Sequence, residues 1–324
     1  MLTWIPASDT NDAPYESSGT MTMTEKATGR ALAELDLEGP TQEPRSYRSL
    51  VWRKFRRHRA AVVGSILLAI FVLGAVLGPI ISPYDQYEIR LDRMVQPPSF
   101  AHPMGTDDLG RDELTRVLGG GRISLSLGLM ATIIAVVLGG TVGSVSGFYG
   151  GRLDSVLMRL TDLMISFPQL FLMMFFSALF GKTVYSIAIV IGTLSWMSVA
   201  RLVRASFLSL KEEDYVLAAR SIGAGSRAII ARHVLPNAMG PIIVAGTIGV
   251  AQAIIMESAL SYLGLGVQLP VASWGSMLRL AQNQMTTAWW LPLFPGLMIV
   301  LSVLSINFMG DGLRDALDPR HLLK

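Results

Sequence analysis

The sequence contains no cysteine and only four histidines among its 324 residues. The absence of thiols excludes a disulfide framework, a cysteine nucleophile and a thiolate metal site. The histidines, at positions 58, 102, 233 and 321, are too far apart to suggest a ligand set, so no metal site is predicted. Charged residues are also scarce, at 16%, against about 25% in soluble proteins. This deficit argues against a cytosolic enzyme and for a membrane protein.

The segments that lack charged residues are long and hydrophobic. Six segments free of Asp, Glu, Lys, Arg and His have 18 to 31 residues each, and about 20 apolar residues cross a bilayer as a helix. Buried helices of a large soluble core are the alternative, but such helices carry a polar stripe. We therefore predict an all-α, polytopic integral membrane protein with six transmembrane helices. The segments are 60–84, 123–151, 163–181, 183–200, 234–256 and 280–310.

A seventh charge-free run, 258–278, is interrupted by Gly264, Gly266, Pro270 and Gly275. These residues disfavour a continuous spanning helix. We expect a helix end followed by irregular or re-entrant chain that is shielded by protein.

Lysine and arginine are divided unequally between the two sides of the predicted membrane. With six spans, 20 of the 27 fall on the side of both termini and 7 on the opposite side. Because positive residues accumulate on the cytoplasmic side, both termini are predicted to be cytoplasmic. Trp274, Trp289 and Trp290 are then expected in the aromatic belt at the external interface.

Three domains are predicted along the chain. Residues 1–44 are rich in Thr, Ser, Glu, Pro and Gly without periodicity, which indicates a disordered cytoplasmic tail. Residues 45–59 interleave apolar side chains with cations, which indicates a basic helix at the interface with membrane lipid; an ordinary positive flank is the alternative. Nucleic-acid binding is not expected beside a membrane span. Residues 60–324 form the transmembrane domain.

The loop between the first two spans contains Asp107, Asp108, Asp112 and Glu113. They lack the Asp-x-Asp-x-Asp-Gly spacing of a calcium-binding loop. We predict a structural role, in which these acids pair with arginines between glycine turns.

Four glycines in the second span recur at intervals of four residues. Gly139, Gly143, Gly147 and Gly151 share one helix face, which lets another backbone approach closely. They predict close packing against a neighbouring helix or a partner subunit.

Glu257 directly follows the fifth span. It lies 20 residues after Asn237, a rise of roughly 30 Å along a helix, which places it near the outer boundary. A carboxylate deeper in the membrane marks a functional site, so Glu257, Ser258 and Leu260 are candidate pathway or gate residues. Structural pairing or interfacial exposure of Glu257 is the alternative.

A short helix is predicted in the cytoplasmic segment between the fourth and fifth spans. Asp214 is the expected N-cap of a helix over 215–222, and Gly223 is the expected left-handed stop. Ala218 and Ala219 give this helix a small, shallow face that suits docking into a groove of another protein.

A second short helix follows in the same segment. Ser226 is expected to cap it, and it is expected to end near Leu235, before Pro236. A mere connector has no need of two capped helices around a glycine, so 201–237 is predicted to be a docking segment.

This segment resembles the cytoplasmic docking signature of ABC importer permeases, which is Glu-Ala-Ala, three residues, Gly, nine residues, Ile-x-Leu-Pro. The positions that define the backbone match in register, whereas Leu217 stands at the Glu position and His233 at the Ile position. The resemblance implies that an ATPase docks on this segment. The docking candidates are Asp214, Tyr215, Ala218, Ala219, Arg220, Gly223, Ala224, Leu235 and Pro236.

Further motifs resemble the dipeptide/oligopeptide/nickel branch of these permeases, and within it the second, or C-type, permease. The matches run from about residue 50 to residue 320, in the order found in that branch. They are HPMGTDDLGRDELTR, RHVLPN, ESALSYLGLG with SWGSML, and NFMGDGLRDALDPR.

The resemblance implies a type I ABC importer permease fold and a non-catalytic, multi-pass subunit of the bacterial cytoplasmic (inner) membrane. The implied partners are a second homologous permease, two ABC ATPase subunits and an extracytoplasmic substrate-binding protein. ATP and Mg would be bound by the ATPase subunits, and no cofactor by this chain. The chain would form half of the pathway for di- or oligopeptides, and the docking helix would transmit ATPase closure to the membrane helices.

Other functions are weighed against this one. Gly181-Lys182-Thr183 resembles the end of a phosphate-binding loop, but Phe176 stands where that loop requires glycine. An ion-driven secondary transporter requires acidic residues within the membrane to relay protons or sodium. Apart from Glu257, which follows the fifth span, the predicted spans contain none. A membrane scaffold without transport activity is a further alternative. Import of nickel, opines, haem precursors or sugars in place of peptides stays open.

Overall fold

The computed structural model describes residues 47–317, and these form helices joined mostly by short turns. Within that range no strand is present apart from one isolated bridge between Thr106 and Asp112. The predicted tail 1–44 lies outside the described residues. The all-α class is confirmed.

Twelve α-helices follow one another in the described part of the chain. The short helix α9 continues through one π-helical turn, Ile230–Val234, into α10. The helices are α1 (Tyr47–Arg57), α2 (Arg59–Ile81), α3 (Glu113–Tyr149), α4 (Gly151–Ser166), α5 (Gln169–Phe180), α6 (Val184–Thr193), α7 (Trp196–Leu210), α8 (Asp214–Ser221), α9 (Ser226–Ile229), α10 (Leu235–Tyr262), α11 (Trp274–Ala281) and α12 (Trp290–Leu317).

Four helical stretches are long and apolar enough to cross a membrane by themselves, and they are Arg59–Ile81, Glu113–Tyr149, Ser226–Tyr262 and Trp290–Leu317. Two further pairs, α4 with α5 and α6 with α7, are bent by 86° and 42°. Counting each bent pair as one span gives six, which agrees with the prediction.

The bends depart from the two straight spans predicted over 163–181 and 183–200. Phe167 has an extended backbone because a residue that precedes proline, here Pro168, is disfavoured in the helical region. One amide braces both breaks, since Gln169 Nε2 donates to the Leu194 carbonyl oxygen at 2.8 Å and to Ser195 Oγ at 3.2 Å. The two bent pairs are therefore held together where each changes direction.

The charged stretch 152–162, expected as a connector between spans, is part of helix α4. Its acids face α7, where Arg204 NH2 donates to Asp154 Oδ2 at 2.6 Å and Arg201 pairs with Asp162. These charges are paired across the contact between α4 and α7, so the helix can include them. A span predicted from the charge-free run alone therefore starts too late.

Helix α3 begins at Glu113, well before the predicted span start at 123. Asp112 caps it, since Oδ2 accepts hydrogen bonds from the backbone N–H and the hydroxyl of Thr115 at 2.9 and 2.7 Å. In its first turn, Arg116 is buried and its Nε lies 3.3 Å from Asp107 Oδ2. Paired charges again lengthen the helix beyond the apolar run.

The acidic loop before α3 is structural, as predicted. Asp107 Oδ1 accepts hydrogen bonds from the backbone N–H groups of Leu109 and Arg111, both at 2.9 Å. Its Oδ2 accepts from Arg111 Nε at 2.7 Å. These bonds fold the loop against the start of α3.

The prediction of an interfacial belt is wrong for two of its three tryptophans. Trp274 and Trp290 are buried, and their Nε1 atoms donate to the carbonyl oxygens of Val117 at 2.9 Å and Thr106 at 3.3 Å. A buried indole needs such an acceptor, so both rings fix α11 and α12 against α3 and its loop. Trp289 is 57% exposed.

Three of the four predicted packing glycines bring α3 and α7 together. A Cβ atom at Gly139, Gly143 or Gly147 would lie 2.5 to 2.7 Å from a backbone carbonyl oxygen of α7. Gly151 is a correction: it lies beyond the end of α3, has φ +59° and has nothing within 4 Å of a Cβ position. It supplies the turn into α4, because side-chain-bearing residues rarely adopt that conformation.

Replacing Gly143 by alanine is expected to destabilise the helix pair. The new Cβ would meet the Ala200 carbonyl oxygen at 2.5 Å and Val203 Cβ at 2.8 Å, and such overpacking costs about 1–3 kcal/mol. Gly140→Ala is the matched control because nothing lies within 4 Å of its Cβ position. Thermal unfolding in detergent should show a lower midpoint for Gly143→Ala alone, and equal midpoints would contradict the close contact.

Candidate functional site

A cavity of about 810 Å³ lies between α3, α7 and α10. Gln169 and the C-terminal end of α12, at Arg314 and Leu317, complete its wall. About half of the lining residues are alanine, glycine, serine or threonine, so the backbones of α3 and α10 lie close to the open space there.

The cavity wall is mostly apolar and almost without charge. Arg314 is the single charged side chain among the described residues that line it. The other polar groups are hydroxyls and amides, which donate and accept hydrogen bonds without fixing an ion. They belong to Thr132, Gln169, Ser195, Ser198, Ser206 and Gln252.

None of these lining residues is among the site residues predicted from the sequence. A signal was present, because Gln169 and Gln252 are amides inside otherwise apolar, charge-free runs, and Gly240, Pro241 and Gly249 interrupt the fifth span. Polar residues in a spanning segment face the protein interior or a cavity. These side chains therefore indicated which faces line the open space.

Helix α8 is seated firmly on the rest of the protein. Val216 and Ala219 are buried in one apolar cluster with Phe207 near the end of α7 and Val234 just before α10. The Arg220 guanidinium lies 5.6 Å from the Phe148 ring centroid, a cation–π distance. Helix α8 therefore shares one apolar cluster with α3, α7 and α10.

Tyr215 adds a polar contact to this seat. Its hydroxyl oxygen accepts a hydrogen bond from Asn237 Nδ2 at 3.2 Å. Burial, followed by the nearby Glu213 carboxylate, raises the pKa of the Tyr215 hydroxyl. The phenol therefore stays neutral at physiological pH, and α8 stays linked to the first turn of α10.

The left-handed stop at Gly223 is confirmed, with φ +84°. The backbone N–H of Ala224 donates to the Ala219 carbonyl oxygen at 3.0 Å, and that of Gly223 donates to the Arg220 carbonyl oxygen at 2.9 Å. This pair of bonds is a Schellman motif. It closes α8 and turns the chain sharply towards α9.

The predicted N-caps are each displaced by one residue. Glu213 and Gly225 hold the extended N-cap positions, and Asp214 and Ser226 are the first helical residues. Neither N-cap makes a side-chain cap bond. At the first helical position the Asp214 carboxylate still meets the positive end of the helix dipole.

The second predicted helix does not end at Leu235. The chain continues through the π-helical turn, where the Leu235 N–H donates to the Ile230 carbonyl oxygen, five residues earlier. Pro236 then occupies the first turn of α10, where its missing N–H needs no partner. The segment from Ser226 is therefore a direct extension of the fifth span.

The outward face of α8 differs from the one predicted. Ala219 points inwards and is 6% exposed, so the two alanines do not form one surface. Leu217 and Ile222 are apolar yet 42% and 86% exposed, and Ala218 lies between them. The helix therefore presents an apolar patch to the outside of the molecule.

Glu257 is completely buried, one turn of α10 beyond the last cavity-lining residue, Ala253. Its Oε2 accepts a hydrogen bond from Ser124 Oγ at 3.1 Å and its Oε1 accepts one from Ser261 Oγ at 2.6 Å. No ion pair to Glu257 is found among residues 47–317. The carboxyl group is therefore held by hydroxyls.

These hydroxyls extend to the interrupted segment that follows α10. Ser124 Oγ accepts from the Trp274 N–H and Ser261 Oγ accepts from the Val267 N–H, both at 3.2 Å. The expected helix end and irregular chain are confirmed, since α10 stops at Tyr262 and α11 begins at Trp274. The network joins α3, α10 and α11.

The predicted pathway or gate residues lie together behind the cavity. Glu257, Ser258 and Leu260 are all buried, and none of them lines the open space. A Cβ atom on Gly275 would lie 2.6 Å from Ser258 Cα, so α10 and α11 are in close contact here.

Comparison with known families identifies the class of this protein. A family model described as "Binding-protein-dependent transport system inner membrane component" matches residues 139–322. A second, described as "N-terminal TM domain of oligopeptide transport permease C", matches residues 46–98. The chain therefore belongs to the family of inner membrane components of binding-protein-dependent transport systems.

Similar proteins extend the match over most of the chain. OppC, the oligopeptide transport system permease protein of Bacillus subtilis, is 40% identical over 82% of this chain and 88% of its own length. DppC, the dipeptide transport system permease protein of the same organism, is 40% identical over 85% and 86%. OppC of Haemophilus influenzae is 39% identical over 89% and 92%.

The membership confirms the predicted resemblance to the second permease of the dipeptide/oligopeptide branch. The chain is a multi-pass permease subunit of an ABC importer in the inner membrane, and it is the non-catalytic membrane component of that system.

Replacing Glu257 by leucine is expected to destabilise the protein more than replacing it by glutamine. Leucine leaves buried Ser124 and Ser261 hydroxyls without their acceptor, and each unsatisfied group costs about 1–3 kcal/mol. Glutamine keeps one acceptor and the same size. Thermal unfolding in detergent measures the difference, and equal midpoints for the two variants would show that the hydroxyl network contributes nothing.

Proposed function

We propose that this chain forms half of the translocation pathway of an ATP-driven importer of di- and oligopeptides, and that α8 couples it to a cytoplasmic ATPase. The observation that carries the proposal is that α8 buries Val216 and Ala219 in the protein while it exposes an apolar patch at Leu217 and Ile222. The seat lies on the helices that line the cavity, and the patch has no cover among the described residues.

The coupling follows from these contacts. An ATPase subunit that binds Leu217 and Ile222 moves α8, and α8 moves α7 and α10 through Phe207 and Val234. ATP shifts the equilibrium because it binds the closed pair of ATPase subunits better than the open pair. ATP and Mg are held by those subunits, and this chain supplies no cofactor site.

The lining of the cavity favours peptides over nickel as the transported solute. Nickel prefers imidazole, thiolate or other strong donors, and the described lining contains neither histidine nor any acid. Peptide groups need hydrogen-bond donors and acceptors without strict geometry, and Gln169, Gln252 and the serine hydroxyls provide them. The names of the relatives agree with this choice.

The same cavity argues against the ion-driven alternative. A proton or sodium relay needs ionisable groups along the pathway, and Glu257 is separated from the cavity by its own packing. Glu257, Ser258 and Leu260 act in the proposal as a gate that closes the end of the cavity.

The proposed assembly contains a second homologous permease, two ABC ATPase subunits and an extracytoplasmic substrate-binding protein. The second permease supplies the other half of the pathway. Both termini, and with them α8, face the cytoplasm, in keeping with the distribution of Lys and Arg.

Replacing Ile222 by serine is expected to weaken ATPase docking. Loss of a buried isoleucine contact removes about 2 kcal/mol, or roughly 30-fold in affinity. Ile89→Ser is the matched control because Ile89 is also exposed, at 57%, but lies in the loop before α3. Copurification of the ATPase subunits and ATP-dependent peptide uptake should both fall for Ile222→Ser only.

A second pair of variants tests the turn that directs α8. Gly223→Val conflicts with φ +84°, whereas Gly225→Ala is accommodated, because Gly225 has φ −69° and nothing within 4 Å of its Cβ position. Uptake that is unchanged by both Ile222→Ser and Gly223→Val would exclude coupling through α8.

Replacing Ala245 by tryptophan is expected to abolish peptide uptake by filling the cavity. Ala245 lines the open space, and the larger ring would occupy it. Val137→Trp is the control, since Val137 is 60% exposed and lies outside the lining. ATPase copurification should survive in both variants, and normal uptake by Ala245→Trp would remove the cavity from the pathway.

A further inference from the structure

Helix α1 carries two different faces and contains no acidic residue. The inward face is half-buried and includes Leu50, Val51 and Phe55. The opposite face is exposed, and it consists of Trp52, Arg53, Arg56 and Arg57.

Contacts with α12 fix which face points outwards. The Phe55 ring lies against Gly312, 3.3 Å from the position that a Cβ atom there would take. His58, which follows α1 and caps α2, has its Nε2 3.6 Å from Asp315 Oδ2. The helix therefore cannot rotate to bury its arginines without losing these contacts.

The exposed cations have no partner of opposite charge in the described part of the chain. None of Arg53, Arg56 and Arg57 takes part in an ion pair within 47–317. The Arg56 guanidinium lies 5.6 Å from the centroid of the Trp52 ring, which is itself 59% exposed. An exposed indole among guanidinium groups is costly in water and favourable at a membrane interface.

We propose that this face, the basic face of α1, binds the anionic headgroups of phospholipids in the membrane that α2 spans. The depth is set by the chain, because α2 begins at Arg59, two residues after α1 ends. Guanidinium groups bind phosphate oxygens in bidentate geometry. The indole ring of Trp52 occupies the level between headgroups and acyl chains.

Binding at this face acts on the cavity through α12. The segment that α1 contacts, at Gly312 and Asp315, also contains Arg314, which lines the cavity. A lipid that holds α1 in place thus holds the cytoplasmic end of α12.

The N-terminal residues 1–46 are the competing occupant. They contain eight carboxylates and three basic residues, so they have the opposite charge to the basic face. Continuity of α1 with a membrane span, and the exposed Trp52, favour lipid.

Fluorescence quenching by brominated lipids tests the proposal. The full chain is reconstituted into phosphatidylcholine vesicles that contain equal fractions of either brominated phosphatidylglycerol or brominated phosphatidylcholine. The Trp52 signal is obtained by subtracting a Trp52→Phe variant. Phosphatidylglycerol should quench Trp52 more strongly, and raised salt should reduce the excess.

The double variant Arg53→Gln/Arg57→Gln should lose that excess while keeping the Arg56–Trp52 contact. Arg152→Gln/Arg159→Gln removes the same charge from exposed positions of α4 and should retain it. Equal quenching of the unmodified protein by both lipids would overturn the proposal. An excess that appears only after Glu34, Asp36, Glu38 and Glu43 are neutralised would assign the face to the N-terminal residues instead. Thermal unfolding confirms that each variant is folded.

Discussion

The contact between α3 and α7 is the constraint on which the part of this protein around α8 depends. Helices in a membrane gain little from hydrophobic burial against one another, so close backbone approach is a main source of their association. Gly139, Gly143 and Gly147 allow that approach over two turns of α3. The contact sets the position of the end of α7. Phe207, near that end, lies in the same apolar cluster as Val216 and Ala219 of α8. The position of α8 therefore depends on the packing of the spanning helices.

Much of the fold was predictable because the bilayer imposes a simple rule on sequence. Charge-free runs located six spans, and the interruption after Tyr262 was visible as glycines and a proline. The rule failed where charges are paired within the protein. Arg116 lies within α3 because Asp107 neutralises its charge. Asp154 lies within α4 because Arg204 neutralises its charge. A single sequence shows which residues are charged but not which of them meet in space.

The site was predictable only where backbone geometry dictates the residue. Gly223 was identified because a left-handed stop requires glycine, and the structure has φ +84° there. The inward position of Ala219 and the burial of Glu257 were not predictable, since both depend on how α8 and α11 pack against distant helices. The cavity lining has the same origin. Gln169 and Gln252 were visible in the sequence as amides in charge-free runs, but only the arrangement of α3, α7 and α10 brings them to one cavity.

The scarcity of charge around the cavity has a consequence for how such a transporter diversifies. A wall whose single charged side chain, among the described residues, is Arg314 offers few groups that would favour one cargo side chain over another. Selection for a new nutrient can then act on the proteins that deliver the cargo and leave this chain almost unaltered. One permease fold is in this way compatible with the import of many different nutrients.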